Sequence, residues 1–220
     1  MPTIQLYKSG EIKGIDIEGV ASVQISNYHL KAEKVTFYKD GRIKKVFPLN
    51  GRLSAYWSED EEYKLAQNIR FTFDFGYVNN KIICVKFYKS GVIRSLTFWP
   101  EERVSIKYKD KIIRCRTGIL MFENGKLMTC EPSTPVEIST PIGNLEAFDK
   151  NSIGITGDCN SFKFDKEGNV IELITSTNTI KVINKKGQVV IHSPRNELIF
   201  AGAEEKQLME CPIRLKESVK

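Results

Sequence analysis

A seven-residue pattern that contains a glycine occurs six times in this chain. In every copy a large apolar residue lies four positions before the glycine, and another apolar residue lies two positions after it. The copies, numbered 1 to 6, span residues 6–12, 37–43, 87–93, 121–127, 164–170 and 183–189, and their glycines are Gly10, Gly41, Gly91, Gly125, Gly168 and Gly187. Because the copies align without gaps and no catalytic motif accompanies them, the pattern predicts an architecture and leaves the activity open.

Each copy predicts a β-hairpin that is closed by its glycine. Strand-forming residues precede two turn-forming residues and the glycine, which supplies the positive φ that ends a type I turn with a G1 bulge. In copy 2 a three-residue loop at 39–41 places Phe37 opposite Ile43 on one face of the hairpin, and Tyr38 opposite Arg42. We favour this loop over a two-residue turn because it brings the two apolar residues together.

The strand that follows each glycine has an unusual spacing. Its apolar residues lie three positions apart, as in Ile43 and Val46 or in Ile93 and Leu96. One face of a flat strand would require two or four positions. Either the returning strand contains a β-bulge, or it is buried on both faces.

Further alternating segments lie between the glycine hairpins. They occur at residues 23–25, 71–73, 104–106 and 136–138, each followed by turn-forming residues. These segments predict a second set of strands, so that the repeating unit consists of two hairpins. We therefore expect an all-β fold of antiparallel hairpin repeats that form an extended, stacked or rolled sheet.

The longest interval between copies, from Gly41 to Gly91, predicts one short helical insert near residues 58–67. Ser58 and Glu61 match a capping box, and the acidic residues that follow Ser58 complement the positive end of a helix. We expect Trp57 and Tyr63 to hold this helix against the sheet.

The chain divides into three predicted parts. A hairpin-repeat block with the helical insert covers 1–131, and a second hairpin-repeat block covers 132–193, since prolines and glycines cluster between 132 and 157. Residues 194–220 form a C-terminal tail, with a helix predicted at 203–210 before Pro212.

Charge and cysteine content place limits on function. The formal net charge is +6, and many lysines fall at predicted loop tips, where they keep strand edges soluble. The five cysteines form no C-x-x-C pair, and we expect buried, reduced thiols rather than disulfides. No apolar run reaches the about 18 residues of a membrane span, and no signal peptide precedes copy 1, so we expect a cytoplasmic protein without a transmembrane segment.

Catalytic chemistry has little support in the sequence. The two histidines, His29 and His192, lie in different strand contexts, and no cluster of histidine, cysteine or carboxylate residues has metal-ligand spacing. Nucleophile elbows, phosphate-binding loops and dinucleotide fingerprints are also absent. We therefore expect no enzymatic activity, no cofactor and no metal.

One candidate binding feature repeats in the first three copies. A tyrosine precedes a lysine within each loop, and a basic residue recurs after the glycine. If the hairpins stack in register, these residues form a stripe, which consists of Tyr7, Lys8, Lys13, Tyr38, Lys39, Lys44, Tyr88, Lys89 and Arg94. The stripe would suit an acidic protein surface or single-stranded nucleic acid. The alternative is purely structural: tyrosines that pack across strands, beside lysines that keep the loop tips soluble.

Two of the copies carry a resemblance. The segment 37–44 resembles the core of variant MORN repeats, found in bacterial proteins that include antitoxin-like members, and the segment 164–170 is similar to the YD repeat of Rhs-type shells. The resemblance implies a bacterial hairpin-repeat protein. We expect a non-enzymatic protein-interaction or structural module with an unknown protein partner, and the alternative is a basic module that binds nucleic acid or another anionic partner. The oligomeric state stays open.

Overall fold

The computed structural model describes residues 2–49, 59–140, 142–152, 160–183, 186–200 and 206–216. In chain order the elements are β1 (Thr3–Leu6), β2 (Ile12–Ile25), β3 (Tyr28–Phe37), β4 (Ile43–Phe47), α1 (Glu59–Leu65), β5 (Asn68–Phe73), β6 (Gly76–Phe87), β7 (Ile93–Phe98), β8 (Val104–Tyr108), β9 (Lys111–Met121), β10 (Leu127–Pro132), β11 (Val136–Thr140), β12 (Gly143–Ala147), β13 (Phe162–Phe164), β14 (Val170–Thr175), β15 (Ile180–Ile183), β16 (Val189–His192), β17 (Arg195–Phe200), β18 (Lys206–Cys211) and β19 (Ile213–Lys216).

Antiparallel hairpins dominate the molecule, as the repeat predicts. Strand makes up 64% of the described residues and helix 4%. The main sheet has 13 strands in the order β1-β2-β3-β4-β6-β7-β9-β10-β13-β14-β19, with β5 paired to β6 and β8 paired to β9. Three separate hairpins, β11–β12, β15–β16 and β17–β18, complete the fold. The all-β prediction is confirmed.

The glycine turns have the predicted three-residue geometry. In copy 2 the amide of Tyr38 donates to the carbonyl of Arg42 at 2.8 Å, and the amide of Gly41 donates to the carbonyl of Tyr38 at 3.0 Å. The equivalent pair of bonds closes copies 1, 3, 4 and 5. All six glycines have a positive φ, between +76° and +98°, a region that side chains with a Cβ rarely enter.

A β-bulge explains the three-residue spacing of the returning strands. In copy 2 Phe37 lies opposite Ile43, but Thr36 lies opposite Lys45, so that Lys44 is the extra residue. The same position, three after the glycine, is the extra residue in copies 1, 3, 4 and 5, where it is Lys13, Arg94, Met128 and Ile171; copy 6 pairs without a bulge. The first of the two explanations is therefore correct for copies 1 to 5, and in copies 3 and 4 the returning strand is also buried on both faces. Residues on either side of the bulge face the core although they lie three positions apart.

The predicted second set of strands forms hairpins that cover the glycine hairpins. They are the β2–β3, β5–β6, β8–β9 and β11–β12 turns, and we call them covering hairpins. Tyr28, which lies between copies 1 and 2 in the chain, packs against Phe87 of copy 3, with ring centroids 6.3 Å apart. Tyr108, between copies 3 and 4, packs against Phe164 of copy 5 at 5.1 Å. The β2–β3 hairpin therefore lies over copy 3, and the β8–β9 hairpin lies over copy 5.

This offset creates a gradient of burial along the stack. Phe87 and Phe164 are fully buried, whereas Phe37 in copy 2 is only half-buried, and Leu6 in copy 1 is 57% exposed. A cover for copies 1 and 2 would have to come from a hairpin before copy 1, and the described residues contain no hairpin there. The sequence predicts a buried position for Phe37, Ile43 and Leu127 as well, and all three are half-buried.

The C-terminal segment differs from its prediction. Residues 206–210 of the predicted helix at 203–210 belong to strand β18, which pairs with β17 along its whole length. The strand that follows, β19, joins the main sheet beside β14. A pairing partner therefore overrides the local helix preference. The first residues of the predicted helix, 203–205, lie outside the described residues.

The helical insert is confirmed as α1. Ser58 and Trp57, which the sequence assigns to its cap and its packing, lie outside the described residues. Tyr63 does hold the helix to the sheet: its ring lies 5.9 Å from that of Trp99, and its hydroxyl donates to Glu102 at 2.8 Å. This hydrogen bond, together with burial, raises the pKa of Tyr63 to about 12.

Truncation of the core should reveal the burial gradient directly. We expect Phe87→Ala to lower the free energy of unfolding by about 3–5 kcal/mol, because it removes a fully buried ring. Leu6→Ala, at the equivalent position of the exposed copy 1, should cost less than about 1 kcal/mol. Urea titrations of both variants measure the difference, and equal losses would contradict the gradient.

Candidate interaction surfaces

The tyrosines of the predicted stripe connect successive hairpins through their hydroxyl groups. Tyr7 donates to the carbonyl of Phe37 at 2.7 Å, and Tyr38 donates to that of Phe87 at 2.7 Å. Tyr88 donates to the carbonyl of Met121 at 2.8 Å. In each case a tyrosine three positions before one glycine reaches the residue four positions before the next glycine. Burial raises the pKa of Tyr88, which keeps its hydroxyl a donor.

Basic side chains lie beside the same tyrosine rings. The ammonium group of Lys39 lies 5.8 Å from the ring centroid of Tyr7, and those of Lys44 and Lys89 lie 5.6 Å and 5.7 Å from that of Tyr38. The guanidinium of Arg94 is 5.9 Å from the ring of Tyr88. Lys44 and Arg94 are bulge residues, so the bulge directs a cation toward the tyrosine of its own copy.

The structure thus brings together seven of the nine residues of the predicted stripe. Lys8 and Lys13, in the terminal copy 1, are exposed and make no ring contact with the described residues. The stripe ends after copy 3, because Phe122 and Asp165 replace the tyrosine in copies 4 and 5. The sixth copy has Asn184, which lies outside the described residues.

Polar contacts between loop tips reinforce this connection. The guanidinium of Arg42 donates to the carbonyl of Lys89 at 3.2 Å, and the ammonium of Lys89 pairs with Asp40 at 3.2 Å. Desolvation tends to raise the pKa of Asp40, but the amide of Arg42 and the ammonium of Lys89 hold this pKa below its ordinary value. At the junction of copies 4 and 5, the ammonium of Lys126 donates to the carbonyl of Lys166 at 2.9 Å. Lys126 has the same position in copy 4 as Arg42 has in copy 2.

These contacts limit what the stripe can bind. The three hydroxyls are committed to backbone carbonyls, and cations already lie near the ring faces that nucleic acid bases would need for stacking. Lys8, Lys39 and Lys89 remain exposed as charges. The arrangement thus fits the structural interpretation of the tyrosines better than a base-stacking surface.

Apolar side chains are exposed at the N-terminal end of the repeat array and on the separate hairpin of copy 6. At the N-terminal end they belong to copy 1 and to β2; in copy 6 they belong to the β15–β16 hairpin, which lies outside the main sheet. The residues are Ile4, Leu6, Ile12 and Val20 in the first group, and Val182, Ile183, Val189, Val190 and Ile191 in the second. Contiguous exposed apolar groups of this kind are typical of contact surfaces. The repeat pattern does not predict this exposure, because the equivalents of Leu6 and Ile12 in copy 3, Phe87 and Ile93, are buried.

An open groove lies beside the first covering hairpin. Its volume is about 1000 Å³, within the range of small-molecule sites. Tyr28 and Phe71 contribute aromatic surface, and His29, Lys31 and Arg70 contribute polar and basic groups. These residues are far apart in the sequence, so no local motif could have predicted their meeting.

A buried carboxylate holds the segment between β12 and β13. Glu131 is fully buried, and its two oxygens accept hydrogen bonds from the amides of Asp149 at 3.1 Å and Ser161 at 2.7 Å. Burial raises the pKa of Glu131 to about 7, although these amides and Arg116 act in the opposite direction. Both ends of the segment are thus attached to one side chain.

The cysteine thiols are the remaining reactive groups, and most of those described are buried. Cys84, Cys115 and Cys130 are buried free thiols, as the sequence predicts, whereas Cys211 is half-buried and Cys159 lies outside the described residues. Hydrogen bonding with Cys130 and burial raise the pKa of the Cys115 thiol. Within the described parts of the chain, no three histidine, cysteine or acidic side chains converge on a metal position.

No helix in the described residues has the length and apolar character needed to cross a membrane. Comparison of the chain with protein-family models, with curated proteins and with solved structures found no match.

Removal of one inter-hairpin hydroxyl should destabilise the fold. We expect Tyr38→Phe to lower the free energy of unfolding by about 0.5–1.5 kcal/mol, because the carbonyl of Phe87 loses its side-chain donor. Tyr77→Phe is the matched control, since Tyr77 is exposed and its hydroxyl donates to none of these carbonyls. Chemical denaturation measures both variants. A loss at Tyr38 no greater than at Tyr77 would show that the hydroxyl does not connect the hairpins.

Glu131 should make stability depend on pH. Its pKa of about 7 in the folded chain exceeds the ordinary 4.5, so folding takes up a proton between these values. The free energy of unfolding contributed by this group therefore falls as pH rises from about 4.5 to 7 and is constant above that. We expect the stability of wild type relative to Glu131→Gln to decline over this window in urea titrations. A relative stability that rises with pH would contradict the assignment.

Proposed function

We propose that this protein is a non-enzymatic interaction module that binds a protein partner through the apolar side chains exposed on copy 1 and on the separate hairpin of copy 6. The observation that carries the proposal is the contrast between interior and terminal copies. Equivalent apolar positions are buried in copy 3, at Phe87 and Ile93, and exposed in copy 1, at Leu6 and Ile12. Exposed strand edges and apolar side chains would aggregate unless another surface covered them.

The buried free thiols support a cytoplasmic location for this module. Cys84, Cys115 and Cys130 are enclosed in the core without disulfides, and reduced thiols are typical of proteins in a reducing compartment.

Nucleic-acid binding is the second candidate, and one observation favours it. Lys8, Lys39 and Lys89 are exposed at equivalent positions of consecutive copies, so their charges lie along one side of the array. Phosphate contacts need charge and no stacking, and binding of this kind would weaken steeply with salt. If the protein instead binds a protein partner, we expect only weak, sequence-independent binding of nucleic acid, which disappears near physiological ionic strength.

Three variants with charge substitutions separate the candidates. The N-terminal end variant carries Leu6→Lys and Ile12→Lys. The C-terminal end variant carries Ile183→Lys and Ile191→Lys on the hairpin of copy 6. The triple stripe variant carries Lys8→Glu, Lys39→Glu and Lys89→Glu, which reverse the exposed stripe charges. Each full-length variant is first checked for cooperative unfolding. Wild type and variants are then used for quantitative co-purification and for titration with single-stranded oligonucleotides at about 0.05 M and about 0.15 M salt.

We expect the co-purifying protein to be lost with an end variant and retained with the triple stripe variant. Oligonucleotide binding should be weak at the higher salt for every form. Tight binding at about 0.15 M salt that disappears in the folded triple variant would favour the nucleic-acid candidate.

A further inference from the structure

Successive glycine hairpins meet through one repeated and directional interface. Residues four and five positions after a glycine pair with the strand that precedes the glycine of the next copy, which we call the outgoing strand. Copy 1 pairs with copy 2 at Gly14–Thr36 and Ile15–Val35, copy 2 with copy 3 at Lys45–Lys86 and Val46–Val85, copy 3 with copy 4 at Ser95–Leu120 and Leu96–Ile119, and copy 4 with copy 5 at Thr129–Lys163 and Cys130–Phe162. The register is identical at all four junctions.

The tyrosine hydroxyl completes this interface at the first three junctions. It always comes from the earlier copy and always reaches the carbonyl four positions before the next glycine, at 2.7–2.8 Å. The interface therefore has a donor side, which carries the tyrosine, and an acceptor side, which carries the carbonyl and the outgoing strand.

Copy 1 presents an acceptor side that no described residue fills. Strand β1 is the first strand of the main sheet, and its outer edge has no neighbouring strand in the described chain. Ile4 and Leu6 on this strand are exposed, although their counterparts Val85 and Phe87 are fully buried. The carbonyl of Leu6 corresponds to those of Phe37 and Phe87, and among the described residues no side chain donates to it.

We propose that the β1 edge is a docking site for a partner protein's glycine hairpin of this same pattern. The hairpin would carry a tyrosine three positions before its glycine and an apolar residue five positions after it. Its returning strand would pair with Gln5 and Ile4, and its tyrosine would donate to the carbonyl of Leu6. This inference deepens the proposed function, on which it rests, by naming the surface and the partner's chemistry.

Continuity with the interior junctions argues for this occupant. The acceptor strands of copies 2 to 5 are each covered by the glycine hairpin of the preceding copy, and strand addition at an open sheet edge is a common mode of recognition. A second copy of this chain has no free tyrosine to supply at this position, because Tyr7, Tyr38 and Tyr88 already donate within their own chain. Copies 4, 5 and 6 have Phe122, Asp165 and Asn184 at the donor position.

A cyclised hairpin peptide tests the proposal with the full-length protein. The peptide has the sequence of residues 34–47, and cyclisation removes part of the ordering cost of binding. We expect saturable binding by calorimetry, and roughly five-fold weaker binding of the peptide in which the tyrosine is replaced by phenylalanine, since one neutral hydrogen bond is lost. The protein variant Ile4→Lys with Leu6→Lys should lose at least about ten-fold in affinity. The protein variant Val190→Lys, which changes the β15–β16 hairpin of copy 6, should bind the peptide as tightly as wild type does.

Three outcomes would overturn the proposal. The first is no saturable binding of the tyrosine peptide at about 1 mM. The second is equal affinity for the tyrosine and phenylalanine peptides. The third is a dimer, seen by light scattering, that the Ile4→Lys and Leu6→Lys changes disrupt, since a second copy would then be the occupant. If the peptide fails while co-purification still depends on the C-terminal end variant, the inference fails and the proposed function stands.

Discussion

The left-handed backbone at each hairpin glycine determines where the rest of the repeat lies. A positive φ at Gly41 closes a three-residue loop, and the strand that leaves this loop carries its bulge at Lys44. The bulge returns Val46 to the core and leaves Lys44 beside the ring of Tyr38. One conformational requirement therefore produces a buried face and a basic, aromatic face on the same short hairpin.

Stacking of these hairpins has a direction, and that direction produces unlike ends. Backbone pairs join copies 1 to 5 in one register, and tyrosine hydroxyls complete the first three of these four junctions. The β2–β3 and β8–β9 covering hairpins lie over copies 3 and 5. Phe87 of copy 3 and Phe164 of copy 5 are thus enclosed by both arrangements. Copy 1 lacks a preceding hairpin and a cover among the described residues, so Leu6 and Ile12 are exposed. The same interactions that stabilise the array thus generate the surface that we assign to a partner.

Local features were predictable and long-range ones were not. The pairing of Phe37 with Ile43 follows from a seven-residue window, and the structure confirms it. The target of the Tyr38 hydroxyl is 49 residues away in sequence, so only the stacking order reveals it. The helix predicted at 203–210 was wrong because β17 supplies a partner strand, and the bulge could be predicted only as one of two explanations. Burial of Glu131 depends on a segment that reaches it from another hairpin.

The most direct test of this account compares two substitutions at Gly41, where an added Cβ would meet no atom within 4 Å and only the positive φ of +84° opposes a side chain. Asparagine tolerates this conformation and valine does not. Denaturant titration should show that Gly41→Val lowers the free energy of unfolding by about 1–2 kcal/mol more than Gly41→Asn does. Equal losses for the two variants would contradict the central role of the left-handed glycine.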